Sequence, residues 1–215
     1  MKMIELPQAI FYDLDGTILN SANEIKKAIE NAARKNKIKI KNRKIKRSIG
    51  PSFDKIIKRI LIGGISAHQF TKLKSDFRNE YDNKLCTRSP LYPNVKTILE
   101  KFKQRGIYQF LITNKPNKAT KRIVRKHKLE KFFNKWHSTS GMHDKAYFVK
   151  ETIIQYNLQK SCCFFVGDST DDYEAAKKNK IRFIAACYGY GLKESKGVAI
   201  NIKRINQLAA FINPY

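Results

Sequence analysis

The stretch Phe11-Tyr12-Asp13-Leu14-Asp15-Gly16-Thr17 decides how the rest of the chain is read. A short apolar run, Ala9 to Tyr12, has the composition of a buried strand, and two acids stand where it must end. Strand side chains alternate with period two, so Asp13 and Asp15 leave an extended backbone on the same side. Gly16 permits a tight turn, and the Thr17 hydroxyl is expected to close it. Taken alone, such a segment is equally an Asp-rich turn beside a helix cap. The remainder of the chain has to decide.

Downstream of Ser21 the periodicity turns helical, with Ile25, Ala28, Ile29, Ala32 and Ala33 on one face. A basic linker, Lys35 to Arg47, leads to Ser48-Ile49-Gly50-Pro51, and the next helix presents Phe53, Ile56, Ile57, Ile60 and Leu61. Gly63-Gly64 stops it, and Ser66 caps a third helix facing inward through Phe70, Leu73, Phe77 and Tyr81. Residues 21–88 are therefore expected to form an all-helical cap domain, hinged near Asn20 and Ser89. Residues 1–20 and 89–215 form the core domain.

In the core a helix over Val95, Ile98, Leu99 and Phe102 ends at Gly106, and the strand Ile107 to Ile112 runs into Thr113-Asn114. A short strand is expected over Lys135 to Ser138. A helix carrying Phe148, Val149 and Ile153 precedes the strand Cys162 to Val166, which ends in Gly167-Asp168-Ser169-Thr170-Asp171-Asp172. A further strand covers Ile181 to Ala186, with an edge strand at Val198 to Ile200 and a closing helix through Ile205, Leu208, Ala209 and Ile212. Strands alternating with helices imply right-handed crossovers, and continuous apolar strands imply burial on both faces. The fold expected is α/β, a Rossmann-like, doubly wound parallel sheet with a helical insert.

At 215 residues and 42% hydrophobic content, the chain can bury a full core, which excludes a disordered class. No apolar run approaches the ~20 residues of a membrane span. The first residues are too short and interrupted for a signal peptide, so a cytoplasmic location is expected. Cys86, Cys162, Cys163 and Cys187 lack metal-site spacing and read as reduced thiols. The net charge of +26 is densest from Lys26 to Arg59, where fourteen cations face two acids. A nucleic-acid or anionic-surface partner would suit that charge. Without interleaved aromatics, a solvated surface is the better reading.

Ligands of such sheets gather beyond the strands' carboxyl ends. Asp13 and Asp15, Thr113, and Asp168 with Asp172 all stand there, and Lys145 opens the helix feeding the fourth strand; Lys150 is a rival lysine. Clustered carboxylates repel one another unless a cation joins them. Mg²⁺ suits hard oxygen donors: Asp13 and Asp168 through carboxylates and Asp15 through its main-chain carbonyl. Asp13 could then attack phosphorus, and Asp15 could act as acid and base. Thr113 and nearby N–H groups could hold phosphoryl oxygens, and Lys145 could answer the developing charge.

The heptapeptide at 11–17, Thr113, Lys145 and the Gly-Asp-Ser-x-x-Asp at 167–172 together resemble the four motifs of the haloacid dehalogenase superfamily. The resemblance implies Asp13 as nucleophile, Asp15 as acid/base, Thr113 and Lys145 as second- and third-motif residues, Asp168 on the metal, and Asp172 ordering the surrounding shell. Asp15 favours phosphate ester hydrolysis or phosphomutase action. Ser48-Ile49-Gly50-Pro51 and Tyr188-Gly189-Tyr190-Gly191 are similar to the branch of phosphoglycolate phosphatases and 5′-nucleotidase-like enzymes with C1-type caps. The expected substrate is a small phosphorylated metabolite, with Gly16, Asn114 and Arg47 as further binding positions. A sugar phosphomutase, or a basic nucleic-acid binder built on the same core, are the alternatives.

Overall fold

The computed structural model describes residues 6–49, 53–139, 143–192 and 200–211. The expectations for Gly50-Pro51, Val198, Ile212 and the Arg47 side chain lie outside what is described. Among the described residues, six strands form one parallel sheet: β1 (Ala9–Tyr12), β2 (Tyr108–Thr113), β3 (Lys135–Ser138), β4 (Cys163–Gly167), β5 (Arg182–Ala186) and β6 (Ile200–Ile202). Their order across the sheet is β3-β2-β1-β4-β5-β6, with every pairing parallel. The chain thus starts in the middle and winds outward both ways, leaving the crevice of a doubly wound sheet beside β1.

Alternation splits each central strand between two apolar layers. Phe11 lies opposite Phe110 and Phe165, its ring stacking on theirs at 5.1 and 6.4 Å. This layer is covered by Val149 and Ile153 of α7 (Lys145–Gln155) and by Ala175 and Ala176 of α8 (Thr170–Asn179). Ile10, Tyr12, Leu111, Phe164 and Val166 belong to the other layer, with α5 (Val95–Gln104) and α6 (Asn117–Lys126). Burial on both faces explains why these strands read as unbroken apolar runs.

Between β1 and α5 lies a helical segment, here the insert. It contains α1 (Ala22–Lys35), α2 (Ile45–Ser48), α3 (Phe53–Ile60) and α4 (Ala67–Glu80), the last passing into a π-helical turn, Tyr81–Leu85. Ser66 caps α4 in a reciprocal capping box with Gln69, as the sequence requires. Phe53, Phe77 and Tyr81 stack in its interior, with ring centroids 4.4 and 5.8 Å apart. The two connections to the core run side by side. Leu19 bridges Leu91, Asn20 N donates to Pro90 O at 2.8 Å, and Tyr92 N donates to Ile18 O at 3.0 Å.

Four expectations are corrected. The basic segment 35–47 is not a plain linker: Ile38 and Ile45 are buried, Ile45 begins α2, and Ile40 bridges Leu61. The edge strand runs on past Ile200, because pairing with Ile184–Ala186 carries it to Ile202. The closing helix is of the tighter 3-10 kind, Ile205–Phe211. The Thr17 hydroxyl closes nothing; it is buried without a partner among the described residues, and Leu14 O accepts from Ile18 N and Leu19 N instead.

Candidate active site

Asp13 follows β1 directly, its N–H continuing the ladder to Val166 O at 3.0 Å. Asp168 follows β4, the neighbouring strand, so parallel pairing brings two residues 155 positions apart to one point. Lys145, the first residue of α7, reaches into the gap. Its Nζ stands 2.5 Å from Asp13 Oδ1 and 2.6 Å from Asp172 Oδ1. The other Asp172 oxygen accepts from Ser169 N at 3.0 Å and Ser169 Oγ at 2.6 Å, part of the box that caps α8. Lys150, the rival, lies on the exposed side of α7.

Glycines let the chain close around Asp168. A Cβ on Gly16, whose φ is +88°, would fall 2.2 Å from Asp168 Oδ2, and one on Gly189 would fall 2.3 Å from Asp168 Cβ. Neither position tolerates a side chain as the site stands. Tyr190 N donates to Asp168 Oδ2 at 2.6 Å. Among the described residues, Asp168 Oδ1 is buried with no hydrogen-bond partner.

Electrostatics set this cluster against itself. Burial raises the Asp13 carboxyl well above its ordinary range; Lys145 pulls it down, while Asp172 and Asp168 push it further up. Burial, then Asp172, pushes Asp168 up to about 7. Burial would lower Lys145, yet Asp13 and Asp172 together hold it above the ordinary lysine value. Oxygens of Asp13, Asp168 and Asp172 lie within 4.8 Å of one another. Asp172 is already engaged on both oxygens, whereas Asp168 keeps one orphaned. That donor set fits a hard divalent cation on the Asp13–Asp168 side, with Asp172 outside it.

Asp15 stands apart from this cluster. Its Oδ1 accepts from Ser21 Oγ at 2.5 Å, and its Oδ2 lies 2.8 Å from Lys115 Nζ. Lys115 is itself buried and donates to Tyr81 Oη at 2.8 Å. Burial would lower its pKa, but Asp15 and Tyr81 hold it above the ordinary value. Beyond Asp15 opens a cavity of about 100 Å³, between the core's Asn114 and Lys115 and the insert's Ile25, Ile49, Phe53, Ile56, Phe77, Arg78 and Tyr81. Thr113, buried at the end of β2, accepts from Lys115 N at 3.1 Å. Asn114 accepts from Thr139 Oγ1 at 2.9 Å and donates to Asp171 at 3.5 Å. Asp171 also pairs with Lys55 of the insert at 3.6 Å.

Sequence reasoning missed Lys115, Tyr81 and Ser21. Lys115 follows a strand end, where a buried lysine could have been suspected. Tyr81 was legible only as one more apolar position of a helix face. The four cysteines are free, three of them buried, and no described helix is long and apolar enough to cross a membrane.

The model of haloacid dehalogenase-like hydrolases matches residues 10–186. A phosphoglycolate phosphatase of Vibrio cholerae is 30% identical over 205 residues, covering 89% of this chain and 85% of that protein. The crystal structure of a predicted phosphoglycolate phosphatase from Haemophilus somnus superposes with a TM-score of 0.84 at 24% identity, covering 95% of this chain and 97% of its own. A haloacid dehalogenase-like hydrolase from Streptococcus pneumoniae does so with a TM-score of 0.85 at 19% identity, covering 96% and 98%. Sheet order, strand-end acids and these likenesses agree: the chain is an enzyme of the haloacid dehalogenase-like hydrolase family, grouping with its phosphatases.

Proposed function

We propose that this enzyme hydrolyses a small phosphate monoester, with phosphoglycolate as the leading substrate, through a phosphorylated Asp13. The observation that carries the reading is Asp13 itself. It is a carboxylate held at 2.5 Å by a buried lysine, at the mouth of a parallel sheet, beside an orphaned Asp168 oxygen. Asp13 attacks phosphorus as the bond to the leaving oxygen breaks, and Asp15 gives that oxygen its proton. Water then attacks phosphorus, Asp15 takes its proton, the bond to Asp13 breaks, and inorganic phosphate leaves with the Asp13 carboxylate restored. Lys145 and the groups around Thr113 answer charge on the transferring oxygens. A divalent cation such as Mg²⁺, held by Asp13, Asp168 and the Asp15 main-chain carbonyl, would supply further charge neutralisation.

The cavity supports the choice of substrate. At about 100 Å³ it is well short of the roughly 300–1,000 Å³ of pockets for drug-sized ligands, so it suits a two-carbon acid better than a nucleoside. Relatives named for phosphoglycolate point the same way. The test is release of phosphate from a metabolite panel with and without Mg²⁺. Phosphoglycolate is expected to exceed nucleoside monophosphates, and Asp13→Asn to lose about 10³-fold or more. Substantial turnover by that variant would remove Asp13 as the nucleophile.

A further inference from the structure

Lys115 is the second cation buried at this site, and the chemistry above gives it no task. Its ammonium makes three contacts: Asp15 Oδ2 at 2.8 Å, Tyr81 Oη at 2.8 Å, and the Tyr81 ring, whose centroid lies 4.1 Å away. Its backbone is fixed as well, since its N–H bonds Thr113 Oγ1 and its carbonyl accepts from Thr120 Oγ1. An ion pair on a buried lysine is no economical way to fill space, because desolvation of the ammonium offsets much of the attraction. What such a pair can supply is direction. With Ser21 Oγ on the other oxygen, Lys115 fixes both ends of the Asp15 carboxylate at the wall of the cavity where a leaving group would sit.

We propose that Lys115, anchored by Tyr81, is a positioning residue that aims Asp15 at the leaving-group oxygen. The proposal rests on the reading of Asp15 as the proton donor, and its test separates the two. An alkoxide needs that proton in order to leave, whereas p-nitrophenolate leaves without it. Lys115→Met and Tyr81→Phe should therefore be compared by kcat/KM on propyl phosphate and on p-nitrophenyl phosphate.

For Lys115→Met, the loss on propyl phosphate should exceed the loss on p-nitrophenyl phosphate by about tenfold or more. Tyr81→Phe should shift the ratio the same way by less. Equal losses on both substrates would mean a merely structural role and overturn the proposal. A loss confined to phosphoglycolate, sparing propyl phosphate, would make Lys115 a carboxylate subsite and overturn it too. If Lys115→Met fails to fold, the Tyr81→Phe ratio decides alone. Asp13→Asn should lose both substrates together; if it does not, the underlying reading has failed and not this refinement.

Discussion

Lys145 and Lys115 are both buried ammonium groups on strand-end carboxylates, yet they belong to different regions. Lys145 lies inside the core: Asp13, Asp172 and the start of α7 all come from one sheet and the helices against it. Lys115 lies on the seam between core and insert, with Asp15 on one side and Tyr81 on the other. The first arrangement follows once strand order and register are set. The second also needs the insert in place. On the proposed reading, charge held by the sheet serves phosphoryl transfer, and charge held across the seam serves the leaving group.

The comparison is broken most sharply at Lys145. Lys145→Met leaves Asp13 and Asp172 buried without their cation, so it should cost about 3–5 kcal/mol of stability. It should also lower kcat/KM by about 10²–10³-fold on any substrate, with no dependence on the leaving group. Urea melts and kinetics on the two phosphate esters check both. A leaving-group dependence like that expected for Lys115 would erase the distinction between the regions.

Next in size is the response to cation and pH. Asp168 sits at about 7 against an ordinary 3.8, and Asp13 is raised as well, so the folded chain holds more protons than the unfolded one between those values. Raised carboxylates stabilise only while protonated. Without a cation, this cluster's contribution should therefore fall as the pH climbs from about 4 to about 7. Mg²⁺ should raise Tm by a few degrees at pH 8 and by less at pH 5, as thermal unfolding with and without the ion would register. An equal rise at both would detach the cation from these acids.

The smallest effect belongs to the exposed side of the seam. Lys55 and Asp171 are paired at 3.6 Å with side chains 61% and 34% exposed, a geometry worth under about 1 kcal/mol after screening. Lys55→Ala should change Tm little and blunt any salt dependence of turnover only slightly. A large loss would move the weight of the seam from Tyr81 and Lys115 to this pair.

The core was legible because its signals are local. β3 falls at Lys135–Ser138 as read, and the strand-end acids needed only parallel pairing to meet. What escaped is what sequence distance hides. Lys115 is one of 44 cations, and its partner Tyr81 lies 34 positions earlier in another part of the fold. The Arg47 expectation falls on a side chain outside the described residues, so no geometry bears on it. Asn201 and Ile202 of β6 were missed because register with β5, not composition, chooses which residues of a short apolar run pair.

The paired crossings at Leu19–Leu91 carry an evolutionary consequence. Where a segment enters and leaves through adjoining stretches of chain, its removal or replacement asks the rest of the chain to rejoin only a short gap. Lineages could thus exchange one lobe for a roomier or tighter one while the phosphoryl machinery is inherited untouched. New specificities would then arise by swapping the lobe and need not wait on redesign of the strand-end acids.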